Sequence, residues 1–219
     1  MLARSRFDYI VIDEVHKAGA ESYQKIIDYF TPGFLLGLTA TPERTDGFNI
    51  FDLFDYNVPY EIRLGEALKQ KMLVPFHYYG IADTGRVDDV VTTLRTYGRV
   101  DNVHGLIFTA SVDDAHSLAE DLTRRGITAV ALSGADSIDR REEVVAQLEN
   151  GEIDYIVTVD IFNEGIDIPC VNQIVLMRET QSPIVFTQQL GRGLRKSRGK
   201  DHLRVIDFIG NYKNNYMIP

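Results

Sequence analysis

The sequence predicts an α/β fold built on mostly parallel sheet and divided into two parts. Three observations lead there. Short apolar, β-prone runs alternate with segments of helical spacing through most of the 219 residues. Alternation of that kind places helices on the faces of a parallel sheet. A proline-marked break near Met72–Pro75 separates a first part, residues 1–74, from a second, residues 75–219.

The elements follow in order. Phe7–Ile12 is an apolar, β-rich run and reads as a buried strand. Glu21–Phe30 sets Tyr23, Ile26, Ile27 and Phe30 on one face of a short helix. Phe34–Leu38 is a second apolar strand. Asn57–Ile62 and Pro75–Ile81 read as strands around a short helix, Leu64–Lys71. Pro59 and Pro75 assign them to an edge or a strand start, because proline has no N–H to give a ladder. Asp83–Arg86 reads as a link, and Val87–Tyr97 as a helix before Gly98.

The second part is more regular. Gly105–Phe108 is a strand, and Ser111 caps a helix whose Val112, Ala115, Leu118, Ala119 and Leu122 keep helical spacing up to Gly126. Ile127–Leu132 is a strand, and Ser137 caps a helix over Ile138–Asn150. Ile153–Thr158 and Gln173–Met177 are strands, Pro183–Leu194 is a helix with proline in its first turn, and Leu203–Phe208 is a last strand.

Composition narrows the function classes. Apolar residues make up 44% and charged residues 25%, an ordinary globular mix. No apolar run approaches a membrane span, so no membrane partner is expected. The first residues have no long apolar stretch of the signal-peptide kind behind them. Cys170 is the only cysteine, so no intrachain disulfide forms, and a reducing, cytoplasmic setting is expected. The formal charge of −9 argues against coating nucleic acid by bulk electrostatics. One basic concentration stands out: Arg192, Arg195, Lys196, Arg198, Lys200 and Arg204, against Asp201 alone.

Chemistry concentrates at strand ends. Asp13-Glu14-Val15-His16 follows the first strand, where open α/β sheets bind ligands. One carboxylate there can hold Mg²⁺ through water while its neighbour orients or deprotonates an attacking water. Taken alone, the pair could equally be an acidic turn before a helix. Thr39-Ala40-Thr41-Pro42 ends the next strand. Thr109 ends the strand at 105–108, and Thr158 begins a run to Gly165-Ile166-Asp167-Ile168-Pro169. Gln188-Gln189-Leu190-Gly191-Arg192-Gly193-Leu194-Arg195 lies on the late helix, where Arg192 and Arg195 are three apart and share a face. Guanidinium suits phosphate through always-charged, bidentate donors. Gly191 and Gly193 each weaken a helix interior by about 1 kcal/mol, which points to close approach to another lobe or a phosphate.

Together these segments resemble the superfamily 2 helicases, the DEAD/DEAH-type ATP-driven motors, over nearly the whole chain. Asp13–His16 matches their D-E-x-H motif, Thr39–Thr41 their T-A-T, Thr158–Pro169 their T-x(n)-G-I-D-x-P, and Gln188–Arg195 their Q-x-x-G-R-x-x-R. Leu38–Gly47 is most similar to the DNA branch of restriction-enzyme motor subunits and XPB-like and UvrB-like proteins.

The resemblance implies two RecA-like lobes of the P-loop NTPase type, the first incomplete, with ATP and Mg²⁺ between them. It implies that Asp13 holds Mg²⁺, Glu14 activates water, and Arg192 and Arg195 stabilise the transferring phosphoryl group. Gly165, Asp167 and Gln188 would lie at the nucleotide, while His16, Thr39 and Thr41 would couple nucleotide state to nucleic-acid grip. Thr109, Ser133 and Thr158, at strand ends of the second lobe, would touch a sugar-phosphate backbone; each could equally be a helix cap. The implied partner is nucleic acid, DNA by branch, with a nuclease or another subunit or domain in the parent protein.

The phosphate-binding loop G-x-x-x-x-G-K-[ST] is absent from these residues. The chain is therefore expected to bind ATP weakly and to hydrolyse it at background rates alone. Two other readings stay open: an RNA helicase, and a non-catalytic nucleic-acid-binding or scaffold module. A P-loop kinase would leave the motifs around Asp167 and Arg192 without a role.

Overall fold

The computed structural model describes residues 2–40, 42, 49–82, 84–98, 102–159, 168–177 and 183–209. The chain divides into two compact units, Met1–Arg63 and Leu64–Pro219.

In the first unit, β1 (Tyr9–Ile12) and β2 (Phe34–Gly37) pair in parallel, Tyr9 against Phe34 and Ile12 against Gly37. Two short 3₁₀ turns, Val15–Gly19 and Ile50–Phe54, flank the pair together with α1 (Glu21–Tyr29). The core is small: Ile12, Val15, Ala18 and Ile50 are buried, and α1 buries no residue completely. Tyr9 and Val11, on one face of β1, are 73% and 58% exposed. The strand expected at 57–62 is not there: these residues are irregular, and all but Ile62 are exposed. Pro59 has no N–H for a ladder, and no described strand of this unit pairs with the segment.

The second unit begins with α2 (Leu64–Lys69) and edge strand β3 (Phe76–Ala82). It continues through α3 (Val87–Tyr97), β4 (Gly105–Phe108), α4 (Val112–Arg124), β5 (Ala129–Leu132), α5 (Ile138–Glu149) and β6 (Tyr155–Thr158). It closes with β7 (Gln173–Leu176), α6 (Pro183–Leu194) and β8 (Leu203–Ile209). The six strands form one parallel sheet in the order β3-β8-β7-β4-β6-β5.

Period-two alternation splits the sheet's side chains between two cores. Leu106, Phe108, Ile156, Ile174, Leu203 and Val205 pack with Val144 and Leu148 of α5 and with Phe186, Leu190 and Leu194 of α6. Ile107, Tyr155, Val157, Val175 and Ile206 pack with Val90 and Leu94 of α3 and with Leu118 and Leu122 of α4. Both faces of the central strands β4, β6 and β7 are covered, and this is why they read as continuous apolar runs. Caps fix where the helices begin: Ser111 Oγ accepts from Asp114 N at 3.1 Å, and Ser137 Oγ accepts from Arg140 N at 3.2 Å. Gly126, at φ 79°, turns the chain out of α4.

The division between units falls at Arg63/Leu64, eleven residues before the 74/75 boundary expected from sequence. Leu64, Leu73 and Val74 pack on the core of the second unit, and Val74 N donates to Leu194 O at 2.9 Å. The apolar character of these residues decides their side of the boundary; Pro75 only starts the strand.

Candidate functional site

In the first unit the chemistry lies where β1 and β2 end. Leu38 N donates to Ile12 O and Val15 N to Leu38 O, both at 2.9 Å, so the ladder continues past the strands and pins the acidic turn. Asp13 is exposed, and its Oδ1 accepts from Glu14 N at 2.9 Å. Glu14 sits in the left-handed region, φ 49° and ψ 47°, at a cost of roughly 1–3 kcal/mol for a non-glycine residue. Its Oε2 is buried, lies 3.2 Å from His16 Nδ1, and makes no hydrogen bond to a protein atom. His16 Nδ1 instead lies 2.9 Å from Thr39 Oγ1. A buried carboxylate oxygen without a donor suits a water or a hydrated cation. Thr41 lies outside the described residues.

In the second unit, Thr109, Ser133 and Thr158 follow or close the adjacent strands β4, β5 and β6, at the carboxyl edge of the sheet. Their hydroxyls differ. Thr109 Oγ1 donates to Ser111 O at 3.1 Å, and Thr109 N donates to Thr158 O at 2.9 Å. Ser133 donates to Asp136 Oδ2 from its N–H at 2.6 Å and from its hydroxyl at 3.0 Å. Those bonds hold the Asp136 carboxyl below its ordinary pKa. Thr158 Oγ1 is fully buried and has no hydrogen-bond partner among protein atoms. Local capping thus accounts for Thr109 and Ser133, while the Thr158 hydroxyl keeps its capacity. Gly165 and Asp167 lie outside the described residues.

On α6, Phe186, Leu190 and Leu194 face the core, and Gln188 and Arg192 lie half-buried beside that stripe. The helix ends at Leu194, so Arg195 lies one residue beyond it, exposed. Gly193 has a packing reason inside its own unit. A Cβ on Gly193 would meet Leu203 and Ile174 side-chain atoms at 2.4–2.9 Å, so Gly193 lets the helix approach its own sheet. A Cβ on Gly191 meets nothing within 4 Å.

Comparison with known proteins settles the family. The family model described as the helicase conserved C-terminal domain matches residues 87–197, just over half of the chain. The chain belongs to the helicases. The model for the res subunit of type III restriction enzymes matches residues 1–44. The chain is 29% identical to IRC3 of Saccharomyces cerevisiae, described as an ATP-dependent helicase, over 92% of this chain and 34% of that protein. It is 25% identical to the DNA 3'-5' translocase XPB2 of Sulfurisphaera tokodaii, over 88% of this chain and 56% of that one. A fragment of an HsdR subunit of a type I restriction enzyme from Vibrio vulnificus shares the fold, with a TM-score of 0.74 at 23% identity, over 98% of this chain and 46% of that one. The helicase chain therefore spans about a third to just over half of the relatives it matches.

Two features of the helicase domain escaped sequence reasoning. Arg141, in the first turn of α5, donates from Nη2 to Gly134 O at 2.8 Å and holds the turn after β5 in place. Its only signal was its place four residues after the capping Ser137. Tyr78 on β3 donates to Asp207 Oδ2 on β8 at 2.6 Å, across the edge of the sheet. Burial raises the Asp207 carboxyl above its ordinary pKa, and the Tyr78 hydroxyl opposes that shift. A pair separated by 129 residues leaves no local pattern. Among the described residues no group of three His, Cys, Asp or Glu could hold a metal ion, and no helix is long and apolar enough to cross a membrane.

Proposed function

We propose that this helicase chain is part of an ATP-dependent DNA translocase that couples ATP hydrolysis to movement on nucleic acid. The observation that carries the reading is Glu14: a buried carboxylate oxygen that makes no hydrogen bond to protein and lies 3.2 Å from the Nδ1 of a histidine tied to Thr39. Asp13 has one carboxylate oxygen taken by the Glu14 N–H, which leaves the other for Mg²⁺. Glu14 then polarises the attacking water, and His16 and Thr39, with Thr41, pass the change in phosphate contacts on to the strand ends. Arg192 and Arg195 offer guanidinium to the developing phosphoryl charge, Gln188 lies one turn before Arg192, and Gly165 and Asp167 serve the nucleotide.

Nucleic acid is held at the carboxyl edge of the six-stranded sheet, at the strand ends that carry Thr109, Ser133 and Thr158. Such contacts read phosphate and sugar and carry no base sequence. DNA is favoured over RNA because the relatives include a protein named as a DNA translocase and the matched fold a restriction-enzyme subunit. A nuclease or another subunit in the parent protein fits the same neighbours.

The sequence contains no phosphate-binding loop, so the chain alone is expected to hydrolyse ATP at background rates. The decisive assay is ATP hydrolysis by a version extended upstream to carry such a loop, with duplex DNA, single-stranded DNA and RNA added in turn. DNA-stimulated turnover supports the reading. Nucleic-acid binding without turnover would establish the scaffold alternative, and stimulation by RNA alone would move the protein to the RNA helicases.

A further inference from the structure

We propose that Lys200 is a positioning residue: its ε-amino group, which has N–H donors for two carbonyls whether charged or neutral, ties the carbonyl just past α6 to the segment after β6, so that the arginine-bearing helix end and residues 168–171 move as one piece.

The geometry begins with a helix terminus. The last carbonyls of α6 have no partner within the helix. Val74 N takes Leu194 O at 2.9 Å, and Lys200 Nζ takes Arg195 O at 2.9 Å. A cation there also meets the negative end of the helix dipole. The turn makes this reach feasible: Gly199, at φ 78°, reverses the chain, and Lys200 N donates to Ser197 O at 3.2 Å. The same Nζ donates to Pro169 O at 3.1 Å, thirty-one residues away in sequence. Pro169 closes the G-I-D-x-P run, and Arg195 closes the Q-x-x-G-R-x-x-R run. One side chain therefore joins the ends of two segments to which the proposed function assigns phosphate chemistry. Neither Pro169 nor the carbonyl of Arg195 has a specialised side chain at the contact, so the tie has no motif signature.

The ammonium is half-buried beside the Cys170 thiol, and the Glu149 carboxylate at the end of α5 faces that thiol. Burial pushes Lys200 down to about 8 and Cys170 up to about 11. The sign of the pH effect follows. When the tie opens, Lys200 enters water and recovers its ordinary, higher pKa. The open form then binds more protons than the closed form between pH about 8 and 10, so rising pH favours the closed form there. Cys170 keeps its proton through most of that interval.

The consequence for catalysis rests on the proposed role of Arg192 and Arg195; the tie itself does not. The test is amide hydrogen exchange on the full 219-residue chain, at residues 192–196 and 170–172, with β4 and β6 as internal controls. Lys200→Met is expected to speed exchange at both segments about tenfold while the control strands hold. In the wild type, protection corrected for intrinsic exchange is expected to rise between pH 8 and 10, by at most about tenfold per pH unit. Lys200→Arg, which keeps its charge, is expected to show no such rise; it also serves if Lys200→Met does not fold. Unchanged exchange in Lys200→Met, or the same pH profile in wild type and Lys200→Arg, would overturn the tie. If the tie holds but Arg195→Ala leaves ATP turnover intact in the extended protein, the reading of the arginines fails and the tie stands.

Discussion

His16 Nδ1 and Thr39 Oγ1 lie 2.9 Å apart, joining the turn after β1 to the residues after β2 across 23 positions of sequence. The bond joins the acidic motif to the threonine motif, and it sits beside the left-handed Glu14. Any movement of Thr39 therefore reaches the Glu14 carboxylate through one imidazole.

That relationship is measurable as a coupling energy. His16→Ala and Thr39→Val should each destabilise the first unit, and the double variant should cost less than their sum by about 0.5–1.5 kcal/mol. Denaturant melts of the four proteins give the cycle. Strict additivity would show that the two side chains act independently.

Arg192 offers a sharper functional test. In the extended protein, Arg192→Ala should lower ATP turnover by roughly 10³–10⁵-fold, about 4–7 kcal/mol, with little change in melting temperature. Arg192→Lys should restore little, because an ammonium lacks the planar fork that meets a phosphoryl group. Full activity in Arg192→Lys would reduce the role to a point charge.

The paired glycines of α6 separate packing from function. Gly193→Ala should destabilise by about 1–3 kcal/mol, since its Cβ would press on Leu203 and Ile174. Gly191→Ala meets open space and should stabilise by about 0.5–1 kcal/mol. Turnover in the extended protein then decides why residue 191 is glycine. If Gly191→Ala is more stable yet slower, close approach of phosphate is the reason; if it is more stable and fully active, position 191 has no functional demand for glycine.

How much of this was legible in the sequence depends on the range of the interaction. The central strands β4, β6 and β7 were readable because each is buried on both faces and so almost wholly apolar, and Ser111 and Ser137 announced their helices through side-chain caps. Asn57–Ile62 misled because an apolar, β-prone composition says nothing about whether a partner strand exists. The unit boundary was misplaced because Pro75 marks a strand start, whereas Leu64 and Val74 choose their core by contact. Within the site, residues clustered in short motifs could be named. The contacts of Lys200 and Arg141 and the Tyr78–Asp207 pair could not, because the partners are backbone carbonyls or lie 129 residues away.

The two units should also differ in local stability. Among the described residues the core of Met1–Arg63 has four buried apolar side chains, α1 contributes none, and Tyr9 and Val11 are exposed on β1. Amides in β1 and β2 should therefore exchange by openings cheaper than global unfolding, while those of β4, β6 and β7 approach the global limit. Equal protection in both sheets would mean that the first unit gains stability from something beyond its own core.

The Tyr78–Asp207 pair yields a pH prediction whose sign is fixed. Burial raises the folded pKa of Asp207 above its ordinary value near 4, so the folded chain holds this proton more tightly than the unfolded chain does. Stability from this group is therefore present at low pH and declines as pH rises from about 4 through the folded pKa. The Tyr78 hydroxyl works against that decline, because it donates to the carboxylate at 2.6 Å. Tyr78→Phe removes the donor, raises the Asp207 pKa further and extends the decline to higher pH. The variant should lose about 1–3 kcal/mol at pH 7, where Asp207 is left as an unpaired buried carboxylate, and less near pH 4. Asp207→Asn provides the control, since it cannot ionise and its amide oxygen can still accept from Tyr78. Its melts should show no corresponding decline. A Tyr78→Phe loss of equal size at pH 4 and pH 7 would mean that the hydroxyl contributes packing alone and that Asp207 is not charged in the fold.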